Sequence, residues 1–597
     1  MLFGVLDDDA IRQLEDACEW MEVRRGEVVC TAGEISDCLY VVVNGWLRAF
    51  AVDAGGSEVA LSDLGKGECV GEMALITGEP RMATVRAIRD CDLVRLQKPA
   101  VDAFLRSHPD ALMHMTRLVV RRYQSALRVT PTRRAAWTIA LVSLTRDRTL
   151  FADFVTQLAS ALVTHGSVIH VTSTSVDERL SVSGIAQSKH GSAEALRISA
   201  LLGQLEEEYR FVLLQADADA YGAPSAWTEL IMRDADERLL IADATDAPEL
   251  RPSERVAGPD DAHEPVRLVL IHPAECAQPQ NSAAWLRTRN VLAHHHCRRG
   301  HAADVERLAR FLAGAQVGLV LGGGGVRGLA HVGVIRALHE AAVPIDMVGG
   351  TSIGAIIGVQ CALGRTTESM LEETCRAFAG LVDYTLPAVA LAAGDNLGRS
   401  LREAFGDAQF EDTWLPYFCV ASNLTRAEVT TLDRGPLWRA ARASCGLPGV
   451  FPPVGIDGDL LVDGCLLNNL PVDIMARRCA GPIISVDATP AVDLEAHGWT
   501  GDTLSGFRYI IDRVNPFSQG ADLPSIARIL QRACELPGVR AHRARLRASG
   551  AKDLQITPSV AGISTLDFRQ SDQAVGAGYR AAVEALRTWT VSGAAAL

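Results

Sequence analysis

Over its first hundred residues the chain alternates short apolar runs with glycine turns. Residues 27–31, 38–43, 46–52 and 91–96 have the β-branched, aromatic and leucine-rich texture of strands, interrupted by Gly33, Gly45 and the Gly55-Gly56 pair. Residues 100–127 change to a helical pattern rich in Leu, Met and Arg. Many short strands closed by helix predict a small β-barrel with a helical lid. After a linker at Val129-Thr130-Pro131-Thr132, strand-like runs at 138–144, 167–172, 210–215 and 266–271 are interleaved with helical ones at 151–163 and 193–209. That alternation predicts an α/β domain with a mostly parallel sheet, carrying a polar loop at 251–265. From residue 317 a third α/β unit begins. It ends in a helix over 572–589 and a small-residue tail expected to fray.

At 597 residues the chain is too long for one hydrophobic core, and about three or four domains are expected. The net charge of -14 argues against nucleic acid as a partner and leaves no polybasic membrane patch. The 14 cysteines are scattered without a C-x-x-C pair, as in a protein with reduced thiols. Asp7-Asp8-Asp9 stands where a signal peptide would be basic, and no apolar run reaches the roughly 18 residues of a spanning helix. The expectation is a cytoplasmic protein whose contact with lipid is peripheral.

Three motifs in the third unit carry chemistry. Gly322-Gly323-Gly324-Gly325-Val326-Arg327-Gly328 follows an apolar strand and opens a helix. Gly350-Thr351-Ser352-Ile353-Gly354 is a G-x-S-x-G elbow between a strand and a helix, and Asp463-Gly464 follows Leu460-Leu461-Val462. A serine hydroxyl needs a neighbouring base to become nucleophilic, and the elbow lifts Ser352 clear of the sheet. Asp463 is the candidate base. Unobstructed N–H groups in the glycine loop suit a tetrahedral oxyanion, and Arg327 can brace the loop or add charge. Three other readings compete. Gly323, Gly325 and Gly328 also spell G-x-G-x-x-G, but a dinucleotide fold wants an acid at the end of the next strand, whereas Asp346 sits at the start of the run 345–348. A Ser-Asp-His order could use His497 or His542. His294-His295-His296 suggests a metal, although adjacent histidines converge poorly on one ion and a structural role is favoured. His331 is expected to pack or orient.

The G-G-G-x-R-G loop, the G-T-S-I-G elbow and the downstream D-G resemble the patatin-like phospholipases. The resemblance implies a Ser-Asp dyad without a metal or catalytic cofactor, with Ser352 as nucleophile and Asp463 as general base. Gly323, Gly324, Gly325 and Arg327 would form the oxyanion region. Cys465 departs mildly from the Gly or Ala that the family often shows after D-G. His294-His295-His296, Arg307-Leu308-Ala309-Arg310-Phe311-Leu312, Ser422-Asn423-Leu424-Thr425 and Ala443-Ser444-Cys445-Gly446-Leu447-Pro448-Gly449 are similar to the neuropathy-target-esterase branch, from about Trp137 onward. That branch implies hydrolysis of phospholipids and lysophospholipids.

Gly71-Glu72-Met73-Ala74-Leu75 followed by Pro80-Arg81-Met82-Ala83-Thr84 resembles the phosphate-binding cassette of cyclic-nucleotide-binding domains. A cyclic phosphate needs helix-start N–H donors and a guanidinium, while a ribose hydroxyl suits a carboxylate. The resemblance implies Gly71, Glu72, Ala74, Arg81 and Ala83 as contacts. Met82 stands where the family's cyclic-GMP binders tend to carry a hydroxyl, so cyclic AMP is expected before cyclic GMP, with residues 100–127 as the relay. The expected layout is therefore α/β in class: a cyclic-nucleotide-binding domain over 1–128, an intermediate α/β domain over 129–312 and a patatin-like domain over 313–597. A scaffold that keeps the fold without catalysis is the rival that the intact Ser352 and Asp463 oppose. The uncharged stretch 386–393 lines an acyl tunnel, dips into a bilayer or is simply buried.

Overall fold

The computed structural model describes residues 8–35, 37–52, 58–126, 137–189, 192–217, 223–252, 254, 266–378, 380, 383–489, 503, 505, 529, 533, 553–564 and 567–593. The linker at 129–132, most of the loop at 251–265, His497, His542 and the last four residues lie outside them. The chain divides into two compact units, Met1–His272 with Ala284–His294 and Pro273–Ala283 with His295–Leu597.

The first unit opens with two four-stranded sheets. One orders Cys18–Val23, Cys91–Gln97, Cys38–Asn44 and Cys69–Val70; the other orders Val28–Cys30, Thr84–Ala87, Leu47–Val52 and Glu58–Leu64. Their inward positions, among them Val42, Leu47, Val85 and Leu93, make one apolar core. The expected single helix over 100–127 is two helices, Lys98–Ser107 and Pro109–Ala126. Pro109 explains the break, because it has no N–H to continue the first helix and it biases His108 away from helical geometry.

The same unit continues into a parallel sheet ordered Val168–Val171, Phe211–Gln215, Trp137–Ser143, Glu237–Asp243 and Val266–His272. Its first strand in sequence is central, so the chain winds outward in both directions from it. Helix Arg148–Val163 follows that strand, and the Asp147 carboxylate caps it by accepting the Leu150 N–H at 3.0 Å. A carboxylate therefore occupies the helix start where a phosphate loop would cradle an anion.

In the second unit the sheet runs Val454–Ile456, Asp459–Asp463, Tyr417–Asn423, Met347–Gly350, Gly318–Leu321, Ile483–Val486 and Leu554–Ile556, with Glu428–Leu432 pairing beside Tyr417–Asn423. The four strands from Tyr417–Asn423 to Ile483–Val486 are parallel neighbours, and their residues are almost wholly buried. Helices Ala330–Glu340 and Ile353–Ala362 each leave the carboxyl end of a central strand, and Ser571–Gly593 packs across Ala330–Glu340.

Candidate active site

Strand Met347–Gly350 ends in a reversal at Thr351-Ser352 that feeds directly into helix Ile353–Ala362. Ser352 sits at φ +57°, a region that costs a non-glycine residue about 1–3 kcal/mol and persists only when its surroundings impose it. The surroundings here are the flanking glycines. A Cβ on Gly350 would lie 2.3 Å from the Gly354 carbonyl oxygen, and one on Gly354 would lie 2.2 Å from that of Leu321. Behind the elbow the Ser352 N–H donates to Ser444 Oγ at 3.0 Å, and Ser444 Oγ–H donates to the Val420 carbonyl at 2.7 Å. Thr351 Oγ1 donates to the Asn468 carbonyl.

Register places the carboxylate. Gly350 is level with Cys419, and two residues further along the same strand Ala421 faces Asp463 across an antiparallel pairing. Ser352 Oγ–H donates to Asp463 Oδ2 at 2.7 Å, while Oδ1 accepts the Cys465 N–H at 2.9 Å. The Asp463 N–H is held by the Gly446 carbonyl, and the residue is 3% exposed. Gly464 is needed for this fit, since a Cβ there would meet the Val420 carbonyl at 2.5 Å. A buried carboxylate fixed by a backbone donor and aimed at a hydroxyl can take that proton as the oxygen attacks. Burial pushes the neighbouring Cys445 thiol well above its ordinary value, keeping it protonated beside the serine.

The glycine loop lies against the same serine: a Cβ on Gly323 would be 3.2 Å from Ser352 Cβ. Two residues expected to serve an oxyanion are otherwise engaged. The Gly323 N–H donates to Asn469 Oδ1 at 3.1 Å. Arg327 is buried, and its Nε donates to the Ile563 carbonyl at 2.8 Å, so it ties the loop to the C-terminal segment. Gly324 and Gly325 stand at the entry to the turn Gly325–Leu329. His331 Nε2 is 2.7 Å from the Gly322 carbonyl, and burial pushes this imidazole down to about 4, so it is neutral and donates that hydrogen bond. Asp346 is fully buried, gripped by Arg310 Nε and Nη2 at 2.9 and 2.7 Å and by the Val317 N–H. It is thus committed to structure, which removes the acid a dinucleotide would need. The histidine run is structural too: His296 Nε2 is bonded to the Glu411 carbonyl, and Arg307 donates to the His296 carbonyl.

Sequence reasoning missed Asn469 and the part Ser444 plays. Ser444 was visible only inside a longer likeness, and Asn469 only as part of an N-N-L-P run six residues after Asp463. Neither has a spacing rule, because each acts through contacts more than ninety residues away in sequence.

In the first unit Gly71 has φ +97°, and Glu72, 3% exposed, opens helix Glu72–Thr77, which also contains Ala74. Arg81 is 6% exposed and donates through Nη2 to the Cys38 carbonyl at 2.8 Å. Its Nη1 is buried with no partner among the described residues. A Cβ on Gly71 would lie 1.7 Å from that nitrogen, so the glycine keeps the guanidinium's approach open. Ala83 packs half-buried against the barrel core, and Met82 is exposed.

Three segments match known families. Residues 20–108 match the cyclic nucleotide-binding domain, 136–312 the Neuropathy Target Esterase family P-loop like domain, and 319–476 the patatin-like phospholipase family. The chain thus joins, in this order, a cyclic nucleotide-binding, a Neuropathy Target Esterase P-loop-like and a patatin-like segment. It is 31% identical to Lysophospholipase NTE1 of Mycosarcoma maydis, over 98% of this chain and 34% of that protein. It is 31% identical to patatin-like phospholipase domain-containing protein 6 of Homo sapiens, over 96% of this chain and 44% of that protein. Protein 7 of the same series from Rattus norvegicus is 30% identical, over 98% and 46%. The chain spans less than half the length of the curated relatives it matches. The Ser352 and Asp463 motifs both fall inside the patatin-like segment, and Glu72 and Arg81 inside the cyclic-nucleotide-binding one. Within the middle segment, Asp147 holds the start of helix Arg148–Val163. Among the described residues no helix is long and apolar enough to cross a membrane.

Proposed function

We propose that the chain is a serine acyl hydrolase acting on lysophospholipids or phospholipids through a Ser352–Asp463 dyad. The observation that carries this reading is the 2.7 Å hydrogen bond from Ser352 Oγ to a buried, backbone-anchored Asp463. As Ser352 Oγ attacks the acyl carbonyl, its proton passes to Asp463, and the oxyanion is met by the Gly324 and Gly325 N–H groups. The positive end of helix Ile353–Ala362 adds to that stabilisation. Collapse of the intermediate expels the alcohol, which takes the proton from Asp463, and leaves an acyl-serine. Asp463 then activates water to release the fatty acid. Lipid is the favoured acyl donor because the relatives' names specify lysophospholipase and phospholipase.

The deciding experiment follows fatty acid release from lysophosphatidylcholine by the full chain and its Ser352→Ala and Asp463→Asn variants. Each variant should lose at least about a thousandfold in kcat. Undiminished release by Ser352→Ala would refute the mechanism. For the first unit we propose cyclic nucleotide binding, with Arg81 Nη1 facing the phosphate and Glu72 the ribose, cyclic AMP preferred. The buried guanidinium nitrogen, unpartnered among the described residues, supports this, since such a group is costly unless an anion completes it.

A further inference from the structure

Residues 384–394 carry no charge, and the segment inverts the usual distribution of side chains. Its small residues Ala390 and Ala392 are buried, whereas Tyr384 is 84%, Leu386 84% and Val389 75% exposed. The backbone beneath them is held firmly. Thr385 N–H donates to the Leu391 carbonyl and Ala393 N–H to that of Asp383, while the Asp383 carboxylate accepts the N–H groups of Gly394, Asp395 and Asn396. Three large apolar side chains are therefore presented to water on a braced turn. Leu391 is half-buried and belongs to the anchor rather than to the tip.

The anchor leads to the chemistry. Leu391 and Ala392 N–H groups donate to the carbonyls of Gly449 and Val450. The same short segment holds Gly446, whose carbonyl fixes the Asp463 backbone, and Ser444, which fixes that of Ser352. Whatever the turn docks onto is brought near the dyad.

We infer that the turn bearing Tyr384, Leu386 and Val389 is the membrane-docking element of this hydrolase, and that it inserts into the interface of a zwitterionic lipid bilayer. The inference rests on the lipid-hydrolase reading, because an amphiphile held in a bilayer is the substrate that profits from such an anchor. The charge pattern selects the kind of surface. Asp383 and Asp395 flank the turn and the chain carries -14 overall, so anionic headgroups would repel it and attraction must be hydrophobic. A tyrosine beside two aliphatic residues suits the interfacial layer, where the ring is buried and the hydroxyl stays wet.

The test is flotation of the full chain with phosphatidylcholine vesicles, comparing wild type, the double variant Leu386→Ser/Val389→Ser and Ser352→Ala. Hydrolysis of a water-soluble short-chain ester and the thermal midpoint are measured in parallel. Wild type and Ser352→Ala should float equally, with binding unaffected by high salt. The double variant should partition at least about thirtyfold more weakly. It should keep its midpoint and its soluble-ester activity, and lose hydrolysis of lysophosphatidylcholine held in vesicles. The proposal is overturned if wild type fails to float, if the double variant floats as wild type does, or if binding needs anionic lipid and is lost in salt. It is equally overturned if wild type is a dimer that the substitutions dissociate, since the turn would then be covered by a second copy. Loss of ester hydrolysis in Ser352→Ala alone reports on the dyad, so the two readings fail separately.

Discussion

A single imidazole makes the site's stability depend on pH. His331 donates Nε2–H to the Gly322 carbonyl, its Nδ1 has no partner among the described residues, and Asp487 is the charged group that acts on it. Burial pushes it down to about 4, against 6.5 for the free side chain. The unfolded chain therefore takes up a proton near pH 6.5 that the folded unit refuses until near pH 4. Its share of stability is complete above pH 6.5 and drains away as the pH falls toward 4, by about 3 kcal/mol in all. Denaturant midpoints of wild type between pH 7 and 4.5 should fall more steeply than those of His331→Gln, which keeps a donor for Gly322 but no ionisable group. Parallel curves would assign the acid sensitivity to another residue.

Between elements, helix Ala330–Glu340 crosses helix Ser571–Gly593 in the second unit at a pair of glycines. A Cβ on Gly578 would lie 1.9 Å from the Ala330 carbonyl oxygen, and one on Gly333 would lie 2.0 Å from that of Val575. Gly578→Ala should therefore cost about 1–3 kcal/mol by overpacking, and should lower kcat because Ala330 begins the helix that carries the glycine loop. Gly576→Ala, two positions away, meets only the tip of Arg580 at 3.3 Å and should be neutral or stabilising by up to about 1 kcal/mol. Urea titrations that rank the two variants in the opposite order would disprove the crossing as drawn. This crossing was illegible in the sequence, because nothing in a glycine-bearing helix says which neighbour comes close. Local chemistry was readable: the elbow, the D-G turn and the cassette each place their key groups within a few residues. The flanking glycines of Ser352 could be identified because their constraint lies inside the elbow itself. The engagement of Gly323 by Asn469 and of Arg327 by Ile563 could not, since both partners arrive through long-range packing. The break at Pro109 carried a readable signal, but the helical period on both sides of it favoured one continuous helix.

Within the first unit the barrel is joined to the parallel-sheet domain by a buried ion pair. Arg89 forks onto Glu206 at 2.9 and 3.0 Å and also donates to the Asp234 carbonyl, while Thr138 Oγ1 donates to the same Glu206. Strand Thr84–Ala87 lies between Arg81 and this clamp in the chain. An anion on Arg81 and the grip on helix Ala193–Glu208 thus sit at opposite ends of one short strand. If cyclic AMP binds, saturation at about a hundredfold its Kd should stabilise the first unit by about 2.7 kcal/mol, and Arg81→Ala should abolish that gain. Hydrogen exchange then asks how far the effect reaches. Amides of helix Ala193–Glu208 should slow on adding cyclic AMP to wild type. In Glu206→Gln, which keeps the shape but loses the charge pair, the barrel amides around Glu72 should still slow while those of the helix do not. A helix that responds equally in both proteins would mean that the Arg89–Glu206 pair holds the two domains together without transmitting the state of the cassette.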